Sequence, residues 1–246
     1  MSDPGFSAYL LVSVLALAGA AMSPLDRWAF RADAGMSRKL LAYAFTILSL
    51  WALAAAAVRI YGWPRLLTSP EPTTLWLPAP GIIAPFLVLV LAAIFLAAFL
   101  PLVHSLRGLR WRRACQAAIH RAFVKTPGFV PGNAAERAIW VVLSLTAGIC
   151  EEILFRGFLI RLLHEGALAL PVAGALALSC LCFGLGHFYQ GLKGIVSTAI
   201  AGLGFGLLFL LSGSLLPCIA LHALMDLQMV YVMRPIPGET PATATA

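Results

Sequence analysis

Residues 137–160 read RAIWVVLSLTAGICEEILFRGFLI, an apolar run with charge in its second half. After Arg137, the charged residues of this run are Glu151, Glu152 and Arg156. Roughly 20 consecutive apolar residues are enough for an α-helix to cross the hydrocarbon core of a bilayer. The run is therefore predicted to be a transmembrane helix that carries three ionisable groups at membrane depth.

The rest of the chain is similarly apolar. Of its 246 residues, 61% are hydrophobic and 11% are charged, and the mean hydropathy is +0.92. A soluble domain has about 45–50% apolar and about 25% charged residues, and disordered chains are polar and highly charged. These values exclude a soluble globule and a disordered chain. They predict an all-α, polytopic membrane helix bundle.

Long apolar runs predict about seven transmembrane helices, within a range of six to eight. The runs cover residues 6–22, 39–60, 81–104, 137–160, 168–188, 193–211 and 214–233. We expect one structural domain with N-terminal spans over 1–136, a helical core over 137–233 and a disordered tail over 234–246. The tail is rich in Pro, Thr and Ala, which cannot form a packed core.

The basic residues predict the orientation of these spans. The net charge of +7 comes from 17 Lys and Arg against 10 Asp and Glu. With the N-terminus outside, 13 basic residues fall on the cytoplasmic side and four lie outside or within spans. This bias predicts a multi-pass protein of the inner membrane with a cytoplasmic C-terminus, and not a nucleic-acid-binding protein. The basic loop 105–136 is predicted to place an amphipathic helix on the anionic inner leaflet of the bilayer.

Ionisable residues inside the spans are functional candidates, because each costs several kcal/mol at the bilayer centre. They are Glu151, Glu152 and Arg156 in the fourth span, His187 at the end of the fifth, and His222 and Asp226 in the seventh. Residues four apart share a helix face, which predicts a Glu152–Arg156 ion pair and places His222 beside Asp226. Glu151 is turned by about 100° from Glu152 and is predicted to face a cavity.

The helical rise predicts how deep these residues lie. At about 1.5 Å per residue, Glu151 lies roughly 22 Å from the outer turn near residue 165, and His222 roughly 15 Å from the turn near 212. His187 lies roughly 32 Å from the turn near 165, which leaves a mismatch of about 10 Å with Glu151. The set clusters in the middle to inner half of the membrane, consistent with a site that opens to the cytoplasm.

The residue types in this set suit hydrolysis of an acyl or peptide bond. A carboxylate in an apolar site can act as a general base toward water, and a histidine can donate to the oxyanion of a tetrahedral intermediate. Buried His, Glu and Asp also serve proton-coupled transporters, although no repeated halves with broken helices are evident. A non-catalytic membrane scaffold or immunity protein is a further alternative.

Three motifs follow one another in successive predicted spans: Glu-Glu-x-x-x-Arg at 151–156, Phe-x-x-x-His at 183–187 and His-x-x-x-Asp at 222–226. With this order, the chain resembles the CAAX prenyl endopeptidase type II and bacteriocin-processing (CPBP) family over about residues 137–233. The resemblance implies an intramembrane endopeptidase of the glutamic type, with 137–233 as its catalytic core. The implied substrate is a membrane-associated protein or peptide that is cleaved near its C-terminus.

The resemblance also implies a role for each position of the first two motifs. Glu151 resembles the general base that activates water. Glu152 supports it, and Arg156 pairs with a carboxylate. His187 resembles the histidine that contacts the nucleophilic water.

His222 and Asp226 resemble the pair that forms the oxyanion site, where the family often has Asn. An ionised Asp cannot donate a hydrogen bond, so Asp226 is expected to orient His222. Two histidines and a carboxylate also suit a zinc site with one open position, with Glu151, His187 and His222 as the ligands. We expect a mechanism without metal or other cofactor, with zinc as the alternative.

Overall fold

The computed structural model describes residues 5–70 and 83–237. Its helices in chain order are α1 (Gly5–Ala29), α2 (Met36–Tyr61), α3 (Trp63–Leu66), α4 (Ile83–Leu106), α5 (Leu109–Ala122), α6 (Ala134–Glu152), α7 (Ile160–Glu165), α8 (Val172–Gly186), α9 (Gly191–Ser212) and α10 (Leu216–Val232). A π-helical segment, Ile153–Leu159, joins α6 to α7. Within the described ranges, the one β-type contact is an isolated bridge between Thr68 and Ser214.

Each of the seven predicted spans contains a helical segment, and the number of spans stays a prediction. Four segments are long and apolar enough to cross a membrane: Met36–Tyr61, Pro85–Leu106, Ala134–Glu165 and Phe188–Ser212. The helices α8 and α10 are apolar but shorter. The predicted all-α membrane bundle is confirmed. Residues 81–82 of the third predicted span and residues 238–246 of the predicted disordered tail lie outside the described residues.

The loops gather at two opposite ends of the bundle. The loops that follow α1 and α5 are joined where the Gly128 N–H donates to the Phe30 carbonyl oxygen at 2.8 Å. At the opposite end, the Ser69 N–H donates to the Gly213 carbonyl oxygen at 3.1 Å. The seven long segments therefore alternate in direction. The 13 basic residues predicted to be cytoplasmic all lie on elements or loops at the first end, which we call the basic end.

The loop 105–136 contains the predicted amphipathic helix, α5. Its apolar side, including Ile119, packs on the apolar cluster around Val232 at the end of α10. The Gln116 side-chain amide donates to the Val232 carbonyl oxygen at 2.8 Å, and Arg112 donates to the Tyr231 hydroxyl at 2.8 Å. The apolar stripe thus covers the end of α10, and the placement of α5 on a membrane leaflet stays a prediction.

A close approach of α6 and α10 brings the first and third motifs together. A Cβ atom added to Gly148 would lie 2.8 Å from the backbone nitrogen of Ala223. Further along the same contact, the Trp140 indole N–H donates to the Asp226 carbonyl oxygen at 3.1 Å. The glycine is therefore required where the two helix backbones touch, one turn from Glu151.

We expect the substitution Gly148→Ala to destabilise the protein by about 1–3 kcal/mol, because the added methyl group must push α6 and α10 apart. Gly174→Ala in α8 is the matched control, since its Cβ would meet only the Leu170 Cβ at an ordinary 3.9 Å. The thermal unfolding midpoint of both variants in the same lipid nanodiscs provides the test. Equal midpoints for the two variants would contradict the close approach.

Candidate active site

The Glu152 carboxylate and the Arg156 guanidinium form a buried ion pair. Arg156 Nη1 donates to Glu152 Oε1 at 2.7 Å, and Arg156 Nη2 donates to the Gly202 carbonyl oxygen of α9 at 3.2 Å. Glu152 is 0% exposed and Arg156 is 1% exposed. The Arg156 Cζ atom also lies 4.2 Å from the centroid of the Phe183 ring. The predicted pair is confirmed, and it binds the first motif to α8 and α9.

The same Glu152 oxygen holds His222. Because a carboxylate accepts, the His222 Nδ1–H donates to Glu152 Oε1, at 2.7 Å. The Phe205 ring stacks on the imidazole with the centroids 4.9 Å apart. The sequence predicts that Asp226 orients His222, but Asp226 Oδ2 lies 3.8 Å from His222 Nε2, which is too long for a hydrogen bond. Glu152 orients the ring, and Asp226 places a negative charge beside its other nitrogen.

Glu151 points away from the ion pair, as the helical rotation predicted. Its side chain is 16% exposed against 0% for that of Glu152, and it lines an internal cavity. Glu151 Oε2 lies 3.8 Å from His222 Nε2. The two adjacent glutamates therefore have different surroundings. Glu152 is hydrogen-bonded inside the protein, and Glu151 faces the cavity.

The two glutamates are followed by the π-helical segment, in which all seven residues are buried. The Ile160 N–H donates to the Phe155 carbonyl oxygen, five residues back. Ser179 Oγ of α8 donates to the same oxygen at 2.8 Å. The sequence predicted a regular helix here. Wide turns of this kind are frequent at functional sites, and this one lies between the glutamates and α7.

His187 lies just after α8, in the turn before α9. Its Nδ1–H donates to the Phe183 carbonyl oxygen at 2.9 Å, because a carbonyl oxygen can only accept. His187 Nε2 is thereby left with its lone pair. The predicted depth mismatch disappears because α8 begins at Val172 and not near residue 165. Counted from Val172, His187 lies about 22 Å along the helix axis, similar to Glu151.

The second and third motifs meet the first in one cavity of about 530 Å³. Glu151, His187, His222 and Asp226 all line it. The structure thus brings together every residue singled out from the sequence, with Glu152 and Arg156 immediately behind the cavity wall. Most of the remaining lining is apolar or aromatic.

Among the polar residues of the cavity lining that sequence reasoning missed are Asp26 and Tyr189. Asp26 lies just beyond the predicted first span, beside Arg27, where an acidic residue is normally solvated. Tyr189 lies in the short turn between the fifth and sixth spans. Their position could have identified them, because both residues lie at the same end of the bundle as His187.

The alternative zinc site would take its ligands from Glu151, His187 and His222. His187 and His222 each use Nδ1 in a hydrogen bond within the protein, an arrangement that leaves Nε2 as the nitrogen that could bind a metal ion. Across residues 5–70 and 83–237, no group of three or more His, Cys, Asp or Glu side chains is placed to hold a metal ion. We therefore derive no step through a metal from these residues.

Comparison with known proteins and protein families gives a match for the part of the chain that holds the motifs. No curated protein and no solved structure matches the chain. The family model described as Type II CAAX prenyl endopeptidase Rce1-like matches residues 133–228, a range that contains all three motifs. The resemblance predicted from the sequence is therefore confirmed for residues 133–228, which are similar to the Rce1-like type II CAAX prenyl endopeptidases.

Proposed function

We propose that this chain is an intramembrane endopeptidase of the glutamic type. It hydrolyses a peptide bond of a membrane-associated protein or peptide, near the C-terminus of that substrate, without a metal ion. The observation that carries the proposal is the pairing of a cavity-facing Glu151 with a His222 ring held from behind by Glu152. The Rce1-like domain supports it, since the family implies a protease of the CAAX prenyl type.

In the proposed reaction, Glu151 is the general base and His187 positions the water. The ionised Glu151 carboxylate and the lone pair of His187 Nε2 are both acceptors. One water molecule can donate one hydrogen to each of them. Its oxygen lone pair is then directed at the carbonyl carbon of the scissile bond. Positioned proton transfer of this kind contributes about 10²–10⁴-fold to a rate.

His222 supplies the oxyanion site. Three carboxylates, from Glu151, Glu152 and Asp226, surround it against one nearby guanidinium, that of Arg156. The proposed mechanism uses the imidazolium form of this ring. Nδ1–H then donates to Glu152, and Nε2–H donates to the oxygen of the tetrahedral intermediate. Such a preorganised donor counts for most in a site from which water is excluded.

Collapse of the intermediate completes the hydrolysis. The water oxygen has bonded to the carbonyl carbon, and the proton it lost resides on Glu151. The carbon–nitrogen bond then breaks, and the Glu151 carboxylic acid donates that proton to the leaving nitrogen. The products are a carboxylic acid and an amine, which become a carboxylate and an ammonium group by proton exchange, and Glu151 regains its starting state.

The proposed location is the inner membrane, with the N-terminus outside and the basic end in the cytoplasm. The support is the alternation of the seven segments and the gathering of basic residues at one end, which is the pattern of the positive-inside rule. His187 and Tyr189 approach the cavity from that end. A substrate held at the bilayer surface would enter there.

Glu151→Gln keeps the size of the side chain and removes the base. We expect it to lower peptide-bond hydrolysis by about 10²–10⁴-fold. The measurement is a proteome-wide comparison of membrane-protein termini in cells that carry the wild type or the variant. Termini produced by the wild type should vanish with Glu151→Gln.

Glu165→Gln is the matched control for this experiment. Glu165 ends the same helical segment, accepts from Arg65 and Arg161, and lies outside the cavity lining. This variant should preserve the wild-type termini. If the termini are the same with Glu151→Gln, the peptidase proposal fails and the scaffold or transporter alternative takes its place.

Substitutions in the Glu152–Arg156 pair should separate its effect on stability from its effect on activity. Arg156→Met removes the guanidinium from a buried ion pair, which costs about 3–5 kcal/mol. The double variant Glu152→Gln/Arg156→Met removes both charges and should recover most of the thermal stability. It should remain inactive, because His222 loses the charge that orients it. A double variant with restored activity would contradict the role of Glu152.

Metal chelation should leave the activity unchanged. We expect purified protein dialysed against 1,10-phenanthroline to retain the Glu151-dependent cleavage of a substrate identified from the termini. Elemental analysis of the same sample reports whether zinc remains bound. Loss of activity on chelation with recovery on zinc addition would overturn the metal-free mechanism.

A further inference from the structure

The Asp26 carboxylate lies in the last turn of α1 and lines the same cavity as Glu151. The Phe30 N–H donates to the Asp26 carbonyl oxygen at 2.9 Å, so one helical turn connects the two residues and both face the cavity. Asp26 is half-buried. Among the residues that the structure describes, none donates a side-chain or backbone hydrogen bond to its carboxylate. The adjacent charge is that of Arg27, whose side chain is exposed.

Aromatic rings cover the cavity beside Asp26. We call Phe30, Phe123, Phe129, Trp140 and Tyr189 the aromatic wall; all five line the cavity. Phe129 is at its centre, with its ring centroid 5.0 Å from those of Phe30 and Trp140, and 5.4 Å from that of Tyr189. Phe123 stacks on Phe129 at 5.5 Å. These contacts form one continuous aromatic surface.

A carboxylate next to aromatic rings is the chemistry that recognises an organic cation. The faces of aromatic rings attract ammonium and guanidinium groups, and a carboxylate adds charge-assisted hydrogen bonds. An apolar ligand would gain nothing from Asp26 and would leave its charge desolvated without a partner, which is costly. A basic side chain satisfies both parts of the surface at once, because its stem is apolar and its head is charged.

The position of this surface relates it to the reaction. Tyr189 belongs to the aromatic wall and lines the same cavity as Asp26, Glu151 and Asp226. A peptide that presents its scissile bond to Glu151 can therefore extend along the same cavity to Asp26. Glu151 and Asp26 would then contact different residues of one substrate.

We propose that Asp26 is a specificity-determining residue that binds, together with the aromatic wall, a lysine or arginine side chain of the peptide substrate near the scissile bond. This inference rests on the proposed endopeptidase function and adds the class of side chain that the site selects. It assigns to α1, outside the Rce1-like match, a part in substrate choice.

Binding to the Glu151→Gln protein tests the inference without turnover. The probes are two short fluorescent peptides of alanine and leucine with blocked ends, one with a central lysine and the other with norleucine at that position. In nanodiscs of zwitterionic lipid, we expect the lysine peptide to bind about tenfold more tightly by fluorescence anisotropy. Adding Asp26→Asn should bring the two affinities together. Adding Asp26→Lys should favour a third peptide with a central glutamate.

Asp33→Asn is the matched control. Asp33 lies in the loop after α1, pairs with Arg31 at 3.2 Å, and has a side chain that is 65% exposed. The substitution removes the same charge from the same end of the bundle and should leave the lysine preference intact. Loss of the preference with Asp33→Asn as well would show a general charge effect and overturn the proposal.

Two further results would overturn it. One is equal binding of the lysine and norleucine peptides, or saturable binding of neither, by the protein with Asp26 intact. The other is a lysine preference that survives Asp26→Asn. Failure of the proposed function is seen separately: a lysine preference that depends on Asp26, without termini that depend on Glu151, would keep the cation site and remove the peptidase.

Discussion

One oxygen atom, Oε1 of Glu152, accepts hydrogen bonds from both Arg156 and His222, and the site depends on it. A carboxylate this deeply buried must be paired and hydrogen-bonded, because desolvation of an isolated charge is prohibitive. Arg156 supplies the neutralising charge and is itself fixed by the Gly202 carbonyl oxygen and the Phe183 ring. The position of His222 is therefore set by α6, α8 and α9 together, although the histidine belongs to α10.

This support leaves the neighbouring glutamate available for chemistry. Glu151 shares its helical turn with Glu152 but faces the cavity, so one carboxylate has a structural partner and the other is open to water and substrate. In the proposed mechanism, the buried pair holds the oxyanion donor and Glu151 activates the water. The apolar lining of the cavity strengthens each of these electrostatic contacts, because little water competes for them.

The sequence predicted the parts of this arrangement that follow from helical geometry. The rotation of about 100° between Glu151 and Glu152 and the four-residue spacing to Arg156 are local properties of a helix. Contacts between helices were harder to predict from the sequence. The bond from Glu152 to His222 joins residues that are 70 apart in the chain, so sequence spacing favoured Asp226, four residues away, as the partner of His222. The π-helical segment and the late start of α8 at Val172 were also missed, since neither leaves a clear mark in the apolar pattern. Asp26 was missed because other residues that line the cavity with it, such as Phe129 and Tyr189, belong to loops that are distant in the sequence.

The most direct test of this account is the protonation of the His222 ring, measured by nitrogen-15 NMR on histidine-labelled protein in lipid nanodiscs. The His222 resonances are those that disappear in the His222→Asn variant. We predict a hydrogen on Nδ1, in a strong hydrogen bond that weakens in Glu152→Gln. A His222 ring with an unprotonated Nδ1, unaffected by Glu152→Gln, would contradict the arrangement from which the proposed mechanism is built.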